Sequence, residues 1–372
     1  MPLTVRPVSR EQHLRFIDEQ GSASFLQCPS WGDVKQEWRA QSIGWYDASD
    51  VLVGAGLVLY RQIPRLRRFL AYIPEGPLIQ WSASNVSDWL DPMVAHLRRE
   101  RAFGVKMGPP VVQRRWPAAE IKAALAERTA RKLADVPVEA EATAQAVTAA
   151  LLRSGWRPPR GEGAFGAGQP QHVFQVPLAG RNEDQLLGSF NQLWRRNIKK
   201  AAKAGVIVTC GTADDLADFH ALYLETAQRD GFTGRPLSYF RQMWTAMSAE
   251  DPDRIRLYLA RHEGDLVAAT TMVRVGAHAW YSYGASSTAK REVRGSNAVQ
   301  WQMMRDAMAA GAEVYDLRGI TDTLDENDPH FGLIQFKLGT GGEAVEYLGE
   351  WDLPLNRLLF LGFEQYLKRR AA

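Results

Sequence analysis

The chain has 372 residues, a length that suits two domains, and its 45 % hydrophobic content is enough for cores that need no disulfides. Charged residues make up 23 %, and the formal net charge of +3 is too small to indicate a nucleic-acid-binding protein by itself. The two cysteines, Cys28 and Cys210, lie far apart in unrelated contexts, which excludes a disulfide framework and a thiolate metal cluster.

The N-terminal residues 1–20 contain no apolar signal core, and no segment reaches the roughly 18 apolar residues of a membrane span. We therefore expect a cytoplasmic protein. The seven histidines lack metal-ligand spacing, and the chain has neither a phosphate-binding loop nor a nucleophile elbow. The sequence thus predicts no metal and no cofactor.

Two apolar segments of the first half predict paired strands, VLVGAGLVLYRQ (51–62) and RRFLAYIPEGPLIQ (67–80). The amphipathic segment 85–102 then predicts a helix, and FGVKMG (103–108) predicts a short strand. The first half is therefore expected to form a sheet meander, then a helix, then a strand.

The middle of the chain differs from both flanks. Residues 116–150 are rich in alanine and charged residues and are predicted to be helical, whereas 155–171 is rich in glycine and proline, as a linker would be. We place the domain boundary there, with a first domain over 1–160 and a second over 161–352.

The second half repeats the order of the first. Strands are predicted at 254–264, 265–276 and 277–286, a helix at 296–312 and a strand at 313–320. Such a duplication predicts an α/β fold with mixed sheets, and its element order is that of the GNAT acyltransferase fold.

GNAT acetyltransferases hold the pyrophosphate of acetyl-CoA at a helix N-terminus with the motif [RQ]-x-x-G-x-[GA]. The corresponding segment, Glu292–Asn297, begins with an acid and ends with asparagine, and the first half has no such motif. An acyl donor other than CoA is therefore favoured. An acyl-CoA N-acyltransferase that binds CoA through an unusual segment remains the alternative.

The segment SFNQLWRRNIKKAAKAGV (189–206) contains five cations and no acid. Four of them follow the i, i+3, i+4, i+7 spacing of one helical face. The face is either a solvated surface or a contact for a polyanion such as tRNA. The five cations are Arg195, Arg196, Lys199, Lys200 and Lys203.

Three further features have both a structural and a functional interpretation. Tyr281 and Tyr283 alternate along one predicted strand, so they are expected on one face, either as part of a half-buried strand or as the aromatic wall of a ligand site. Lys337 is either a lysine at the surface of a strand or a cation aimed into a cleft. Asp316, at a predicted strand end, is either structural or a proton acceptor.

Five segments, in order and over nearly the whole chain, resemble the FemABX family of peptidoglycan bridge-forming aminoacyltransferases. The resemblance implies two tandem GNAT-like domains, a C-terminal helix over 353–372 that packs back on the first domain, and a monomer. Because no long heptad insertion is present, the chain resembles the compact, FemX-like members without a coiled-coil arm. The five segments are 25–36, 189–206, 229–243, 310–320 and 331–355.

The resemblance also implies an activity. An amino acid, Gly, Ala or Ser, would pass from aminoacyl-tRNA to the side-chain amine of the third residue of a peptidoglycan stem peptide. The acceptor would be UDP-MurNAc-pentapeptide or lipid II, and peripheral contact with the inner face of the membrane is a further expectation. A non-catalytic module that binds tRNA or the precursor is the remaining alternative.

Single residues can be matched to the family's substrate cleft. Lys35 matches a lysine that contacts the phosphates of the nucleotide-linked peptide, and Arg235 with Tyr239 matches a pair that lines the same cleft. Tyr281 and Tyr283 match its aromatic wall. These five residues are our candidates for acceptor binding.

Phe336 and Lys337 match a Phe-Lys pair near the reacting centre, where Lys337 would stabilise the oxyanion or the tRNA terminus. Asp316 is a candidate proton acceptor, with the tRNA ribose hydroxyl as the alternative relay. One departure concerns Gly108, since the family often has an acid before the proline at this position, and glycine cannot act as a base.

Overall fold

A computed structural model describes residues 3–82, 86–158 and 168–371, with side chains as far as Tyr366. Part of the predicted linker, 159–167, lies outside these residues. The elements up to residue 117 are β1 (Thr4–Pro7), α1 (Arg10–Glu19), α2 (Pro29–Val34), β2 (Arg39–Tyr46), β3 (Leu52–Gln62), β4 (Phe69–Ile73), α3 (Val86–Arg99), β5 (Ala102–Met107) and β6 (Val112–Pro117).

The central elements are α4 (Ala118–Glu127), α5 (Ala142–Arg153), β7 (His172–Pro177), α6 (Glu183–Ser189), α7 (Gln192–Lys203), β8 (Ile207–Gly211), α8 (Leu216–Asp230) and α9 (Leu237–Glu250). The remaining elements are β9 (Ile255–His262), β10 (Asp265–Val275), β11 (His278–Ser286), α10 (Gly295–Ala309), β12 (Val314–Gly319), α11 (Phe331–Leu338), β13 (Glu343–Tyr347), β14 (Trp351–Pro354) and α12 (Arg357–Ala371).

The chain divides into two compact units. The first comprises residues 1–115, 138–171 and 345–372, and the second comprises 116–137 and 172–344. Compared with the predicted ranges 1–160 and 161–352, the main difference is that the α4 region belongs to the second unit. Its start is fixed there because the Ala118 amide donates to the Gly342 carbonyl oxygen at 2.8 Å.

The first unit is built on a six-stranded sheet with the order β1-β2-β3-β4-β5-β14. Only β4 and β5 are parallel among its pairs. Helices α3 and α5 cover an apolar core that includes Trp45 and Trp89. At β5, the α12 side chains Phe360 and Phe363 pack with Phe103, at a centroid distance of 5.3 Å for Phe363.

In the second unit six strands have the order β7-β12-β11-β10-β9-β8, and only β11 and β12 are parallel. Leu257 and Leu259 of β9 pack against α8 and α9, while Tyr258 between them bonds to Asp306 of α10. Because neighbouring strand residues face opposite ways, the sheet has helices on both faces.

The predicted duplication is confirmed in its order, and the first half has one more strand, β2, than the sequence predicted. The antiparallel strands β2, β3 and β4 are followed by α3 and by β5, which pairs in parallel with β4. The strands β9, β10 and β11 are followed by α10 and by β12, which pairs in parallel with β11. Each half is a mixed sheet with helices, as the α/β prediction required.

Two local predictions were wrong. The segment 116–150 is not one helical region, because residues 128–141 separate α4 from α5 and contain only a short 3-10 turn at Leu133–Asp135. The strand interpretation of Lys337 is also wrong, since residues 331–338 form α11. This short apolar run lacks polar alternation, and its buried residues Phe331, Ile334 and Leu338 follow helical spacing.

Candidate active site

The parallel strands β11 and β12 diverge after a short shared stretch. They pair only over His278–Val314, Ala279–Tyr315 and Trp280–Asp316. Beyond these pairs β11 continues to Ser286 along β10, whereas the pairing of β12 with β7 becomes irregular between Asp316 and Gly319. Over this length β11 is no longer paired with β12.

A β-bulge lies in β11 at the start of this divergence. Tyr283 pairs with Thr271 and Tyr281 with Met272, so Ser282 is an extra residue. Thr271 and Met272 are consecutive in β10 and point to opposite faces of the sheet. The expectation that Tyr281 and Tyr283 share a face is therefore wrong, because the extra residue breaks the alternation.

Tyr283, Tyr239 and Arg235 form one cluster. The hydroxyl oxygens of Tyr239 and Tyr283 are 3.1 Å apart, and the Arg235 guanidinium carbon lies 5.3 Å from the centre of the Tyr239 ring. Arg235 is exposed, so the cluster places a cation at the edge of an aromatic surface. Tyr281 lies on the other face, where burial raises its pKa to about 12.

Asp316 is buried, with 2 % of its surface exposed, at the point where the strands diverge. Its Oδ2 accepts a hydrogen bond from Gln175 Nε2 at 3.1 Å, and its Oδ1 accepts one from the Arg318 amide at 2.6 Å. His278 Nε2 is 3.6 Å from Oδ2, too long for a hydrogen bond. Burial alone would raise the pKa of Asp316, but the neighbouring His278, Arg318 and Gln175 lower it below its usual value.

Lys337 is held next to Asp316 by two backbone carbonyls. Its Nζ donates to the carbonyl oxygens of Arg318 and Gly319 at 3.1 and 2.7 Å, and only 3 % of the residue is exposed. Arg318 has a φ of 61°, a left-handed conformation that is uncommon for arginine. Burial lowers the pKa of Lys337 to about 7, with Asp316 opposing and Arg318 adding to the effect.

Phe336 connects this region to the basic helix α7. The buried Trp194 of α7 donates from Nε1 to the Phe336 carbonyl oxygen at 2.8 Å, and the two rings lie 4.7 Å apart. All five cations of α7 are exposed, and none forms an ion pair with a carboxylate of the described chain. They are Arg195, Arg196, Lys199, Lys200 and Lys203.

Lys35 belongs to the first unit, whereas the other predicted site residues belong to the second. It caps the C-terminus of α2, is half-buried, and has its Nζ 4.9 Å from the centre of the Trp31 ring. Within the second unit, one group comprises Arg235, Tyr239 and Tyr283. A second group comprises Asp316, Phe336 and Lys337 with α7.

A carboxyl group of the first unit stands beside Gly108. A Cβ atom at this glycine would lie 3.7 Å from Glu350 Cγ. Glu350 Oε1 accepts hydrogen bonds from the Tyr72 hydroxyl at 2.5 Å and the Gln169 amide at 3.2 Å. Burial raises the pKa of Glu350, while Tyr72 and Lys106 act in the opposite direction. A carboxyl group from the far end of the chain thus lies close to Gly108.

The segment matched to the CoA motif does open a helix. Helix α10 begins at Gly295, directly after Arg294 with a φ of 62°. A Cβ atom at Gly295 would come within 2.7 Å of Val267, so the close packing there requires glycine. Asn297 Nδ2 is buried and has no hydrogen-bond partner within the described chain.

Sequence reasoning missed four residues of these groups: Gln175, His278, Trp194 and Glu350. Gln175 had a detectable signal, because it is the one amide inside the apolar strand β7 and must satisfy its polar atoms when buried. Trp194 is the aromatic residue of the basic helix, which indicates its packed face. Glu350 had no local signal, since its contacts are distant in sequence.

The FemAB family model matches residues 8–263 and 259–369. The chain belongs to the FemAB family. The lipid II:glycine glycyltransferase of Staphylococcus aureus strain USA300 is 22 % identical over 429 aligned residues, which cover 97 % of this chain and 95 % of that protein. The predicted resemblance is therefore confirmed at the level of the family.

Solved structures confirm the predicted fold. The crystal structure of FemX superposes with a TM-score of 0.79 at 21 % identity and covers 96 % of this chain and 98 % of that one. A tandem GNAT protein from the clavulanic acid biosynthesis pathway has a TM-score of 0.52 at 12 % identity, with 95 % and 98 % covered. Across the described residues, no helix has both the length and the apolar character of a membrane span.

Proposed function

We propose that this FemAB-family protein transfers Gly, Ala or Ser from aminoacyl-tRNA to the side-chain amine of the third residue of a peptidoglycan stem peptide. The acceptor would be UDP-MurNAc-pentapeptide or lipid II, and the reaction would take place on the cytoplasmic side, with peripheral membrane contact. The observation that carries the proposal is the buried Lys337 at the divergence of β11 and β12.

The basic helix α7 supports the tRNA as donor. Five exposed cations without carboxylate partners can neutralise RNA phosphates without reading the sequence. Their helix is fixed to α11 through the Trp194–Phe336 hydrogen bond, so a tRNA bound there would be held at a set distance from Lys337.

Two groups support a phosphorylated sugar-peptide as acceptor. Arg235 with Tyr239 and Tyr283 offers a cation beside aromatic rings and hydroxyls, which suits a polar ligand with anionic groups. Lys35 would contact its phosphates. Arg235 and the tyrosines of the second unit would orient the peptide. The Lys35 ammonium of the first unit is a point charge of the kind that suits a phosphate.

The chemistry requires few groups because the aminoacyl ester is already activated. The amine nitrogen attacks the ester carbonyl and forms the C–N bond, which gives a tetrahedral oxyanion. When the carbonyl reforms, the C–O bond to the ribose breaks and the amine proton passes to the released ribose oxygen. Protonated Lys337 would stabilise the tetrahedral oxyanion. Asp316, whose two oxygens already accept hydrogen bonds, would keep the Arg318 and Gly319 carbonyls aimed at Lys337 rather than accept a proton.

The test is to incubate the purified protein with glycyl-, alanyl- or seryl-tRNA and UDP-MurNAc-pentapeptide or lipid II. Mass spectrometry of the acceptor should show the gain of one amino-acid residue, and deacylated tRNA should give none. A parallel reaction with acetyl-CoA tests the alternative donor. Acetylation of the acceptor without transfer from any aminoacyl-tRNA would contradict the proposal.

A further inference from the structure

The β3–β4 turn and helix α12 enclose an apolar groove on the first unit. The turn is closed by hydrogen bonds from the Ile63 amide to Arg68 and from the Leu66 amide to Ile63. Ile63 and Pro64 form one wall, and the α12 side chains Leu359, Phe363 and Tyr366 are among those of the other. The groove has a volume of about 300 Å³ and opens to solvent.

Exposed leucines extend this apolar surface. Leu358 is 83 % exposed and Leu361 51 % exposed. Leu358 lies next to Leu359 and one turn from Gly362 of the groove, so the leucines continue the groove around the helix. Leu66, at the tip of the turn, is 47 % exposed. Large apolar side chains exposed together indicate a contact surface rather than isolated surface residues.

Cations surround these leucines. Arg61 is half-buried with its guanidinium carbon 5.8 Å from the centre of the Phe363 ring, and the other four arginines are exposed. None of the five forms an ion pair with a carboxylate within the described chain. A second copy of the chain would bring the same positive charge, which opposes self-association. The five are Arg61, Arg65, Arg67, Arg68 and Arg357.

We propose that this surface, the β3–β4 turn with the exposed side of α12, binds the anionic surface of a lipid bilayer. The leucines would enter the boundary between headgroups and acyl chains, and the arginines would contact lipid phosphates. The purpose of this contact rests on the proposed function, because membrane binding would keep the enzyme at the surface that carries a lipid-linked acceptor. It would also favour lipid II over the soluble precursor.

Vesicle flotation of the full-length protein tests the surface directly. The protein should float with phosphatidylcholine vesicles that contain phosphatidylglycerol, and rising salt should weaken the binding. Vesicles of phosphatidylcholine alone should bind at least about tenfold less. No flotation with the anionic vesicles would overturn the inference, whatever the enzymatic activity.

Variants locate the binding. The double variant Leu358→Ser/Leu361→Ser should lower vesicle affinity by about tenfold or more, because each leucine loses its apolar burial. Arg65→Gln/Arg67→Gln/Arg68→Gln should remove most of the salt dependence. The control is Leu152→Ser/Arg153→Gln on α5, where Leu152 is 52 % exposed, and it should bind as the parent does. All changed side chains are exposed, and unchanged thermal unfolding would exclude misfolding.

Two further results would overturn the assignment. If neutralising Lys199, Lys200 and Lys203 abolished vesicle binding, while the changes in the β3–β4 turn and α12 left it intact, the lipid contact would lie on α7. Concentration-dependent dimerisation abolished by Leu358→Ser/Leu361→Ser, without vesicle binding, would make the surface an interface between copies.

Acceptor form separates this inference from the proposed function. Leu358→Ser/Leu361→Ser should slow transfer to lipid II in vesicles and leave transfer to UDP-MurNAc-pentapeptide unchanged. If the parent protein modifies neither acceptor, the proposed function is wrong. The flotation experiment still tests lipid binding by this surface independently. Equal loss with both acceptors would overturn the inference, because a membrane contact cannot matter for a soluble substrate.

Discussion

The two halves of the molecule share one element order and differ in how their parallel strands meet. In the first unit every residue of β4, from Phe69 to Ile73, pairs with β5. In the second unit only three of the nine residues of β11 pair with β12. The parallel pair is thus closed, meaning paired along all of β4, in the first unit. In the second unit it is open, because most of β11 is not paired with β12, and Lys337 and Asp316 lie where the pairing ends.

Each half also has a carboxyl group near the end of its parallel pair, buried for Asp316 and half-buried for Glu350, but with different neighbours. Asp316 lies among His278, Arg318 and Lys337, and its pKa is lowered. Glu350 accepts a hydrogen bond from a tyrosine hydroxyl, and its pKa is raised. The surroundings thus shift Asp316 toward its charged form and Glu350 toward its neutral form, and substitutions should separate these two environments.

The largest effect should come from Lys337→Met. The substitution keeps the apolar stem and removes the charge that would stabilise the oxyanion, so the single-turnover transfer rate should fall by about 100- to 1,000-fold. Lys122→Met, at a half-buried lysine of α4 whose pKa is also lowered, serves as the matched control and should react at the parent rate. A full rate in Lys337→Met would remove the lysine from the mechanism.

The next effect should be that of Asp316→Asn. Hydrogen bonds to charged groups contribute about 1.5–3 kcal/mol, so kcat/KM should fall by about 10- to 100-fold. Loss of the negative charge also lowers the pKa of Lys337, so the decline of kcat/KM at high pH should begin about one pH unit lower. Asp306→Asn on α10 should leave the pH profile in place. A lower rate with an unshifted profile would mean that Asp316 acts only on folding.

A smaller effect is expected from Lys199→Gln/Lys200→Gln/Lys203→Gln. If the three lysines contact tRNA phosphates, the slope of log affinity against log salt should become shallower by about 2. Filter binding of aminoacyl-tRNA at several salt concentrations measures it. The matched triple variant Arg98→Gln/Arg99→Gln/Arg153→Gln in the first unit should keep the parent slope. An unchanged slope in the α7 variant would identify that helix as a solvated surface.

The smallest effect should come from Glu350→Gln, since the amide resembles the neutral acid. We expect transfer to fall by about fivefold or less, as for one neutral hydrogen bond. Stability gives a second readout. Because the pKa of Glu350 is raised above its ordinary value of 4.5, the folded protein binds more protons than the unfolded chain at pH values above 4.5. The contribution of Glu350 to the free energy of unfolding therefore declines as the pH rises. Urea unfolding at several pH values should show a weaker decline of the free energy of unfolding with pH in Glu350→Gln than in the parent. If Glu350→Gln lowered the transfer rate more than Asp316→Asn does, the order of the two sites would be reversed.

Periodicity predicted most of the repeated order of strands and helices, because those segments have a clear apolar pattern, but it missed strand β2 of the first meander. It failed where one residue changes the outcome. The extra Ser282 turns Tyr281 away from Tyr283, and no sequence signal marks such an insertion in a strand. The short run 331–338 is apolar throughout most of its length, so its period could not be distinguished.

Placement was predicted best for the cations of α7, which lie exposed on a helix as their spacing indicated, whereas their role and that of Lys337 stay predictions. It was predicted least where the partners are distant in sequence. The Glu350 carboxyl beside Gly108 and the Gln175 amide on Asp316 come from strands or loops that only tertiary folding brings close. Local patterns contain no information about these contacts.

Under the proposed function, the hydrogen bond from the Trp194 indole to the Phe336 carbonyl oxygen would bear on substrate choice. If α7 binds tRNA as proposed, this bond would fix the distance between the bound RNA stem and the Lys337 amine. That distance would have to match how far an esterified 3′ end protrudes from its duplex stem, a dimension common to tRNAs of every anticodon. Discrimination among amino acids would then depend on the cavity around the ester.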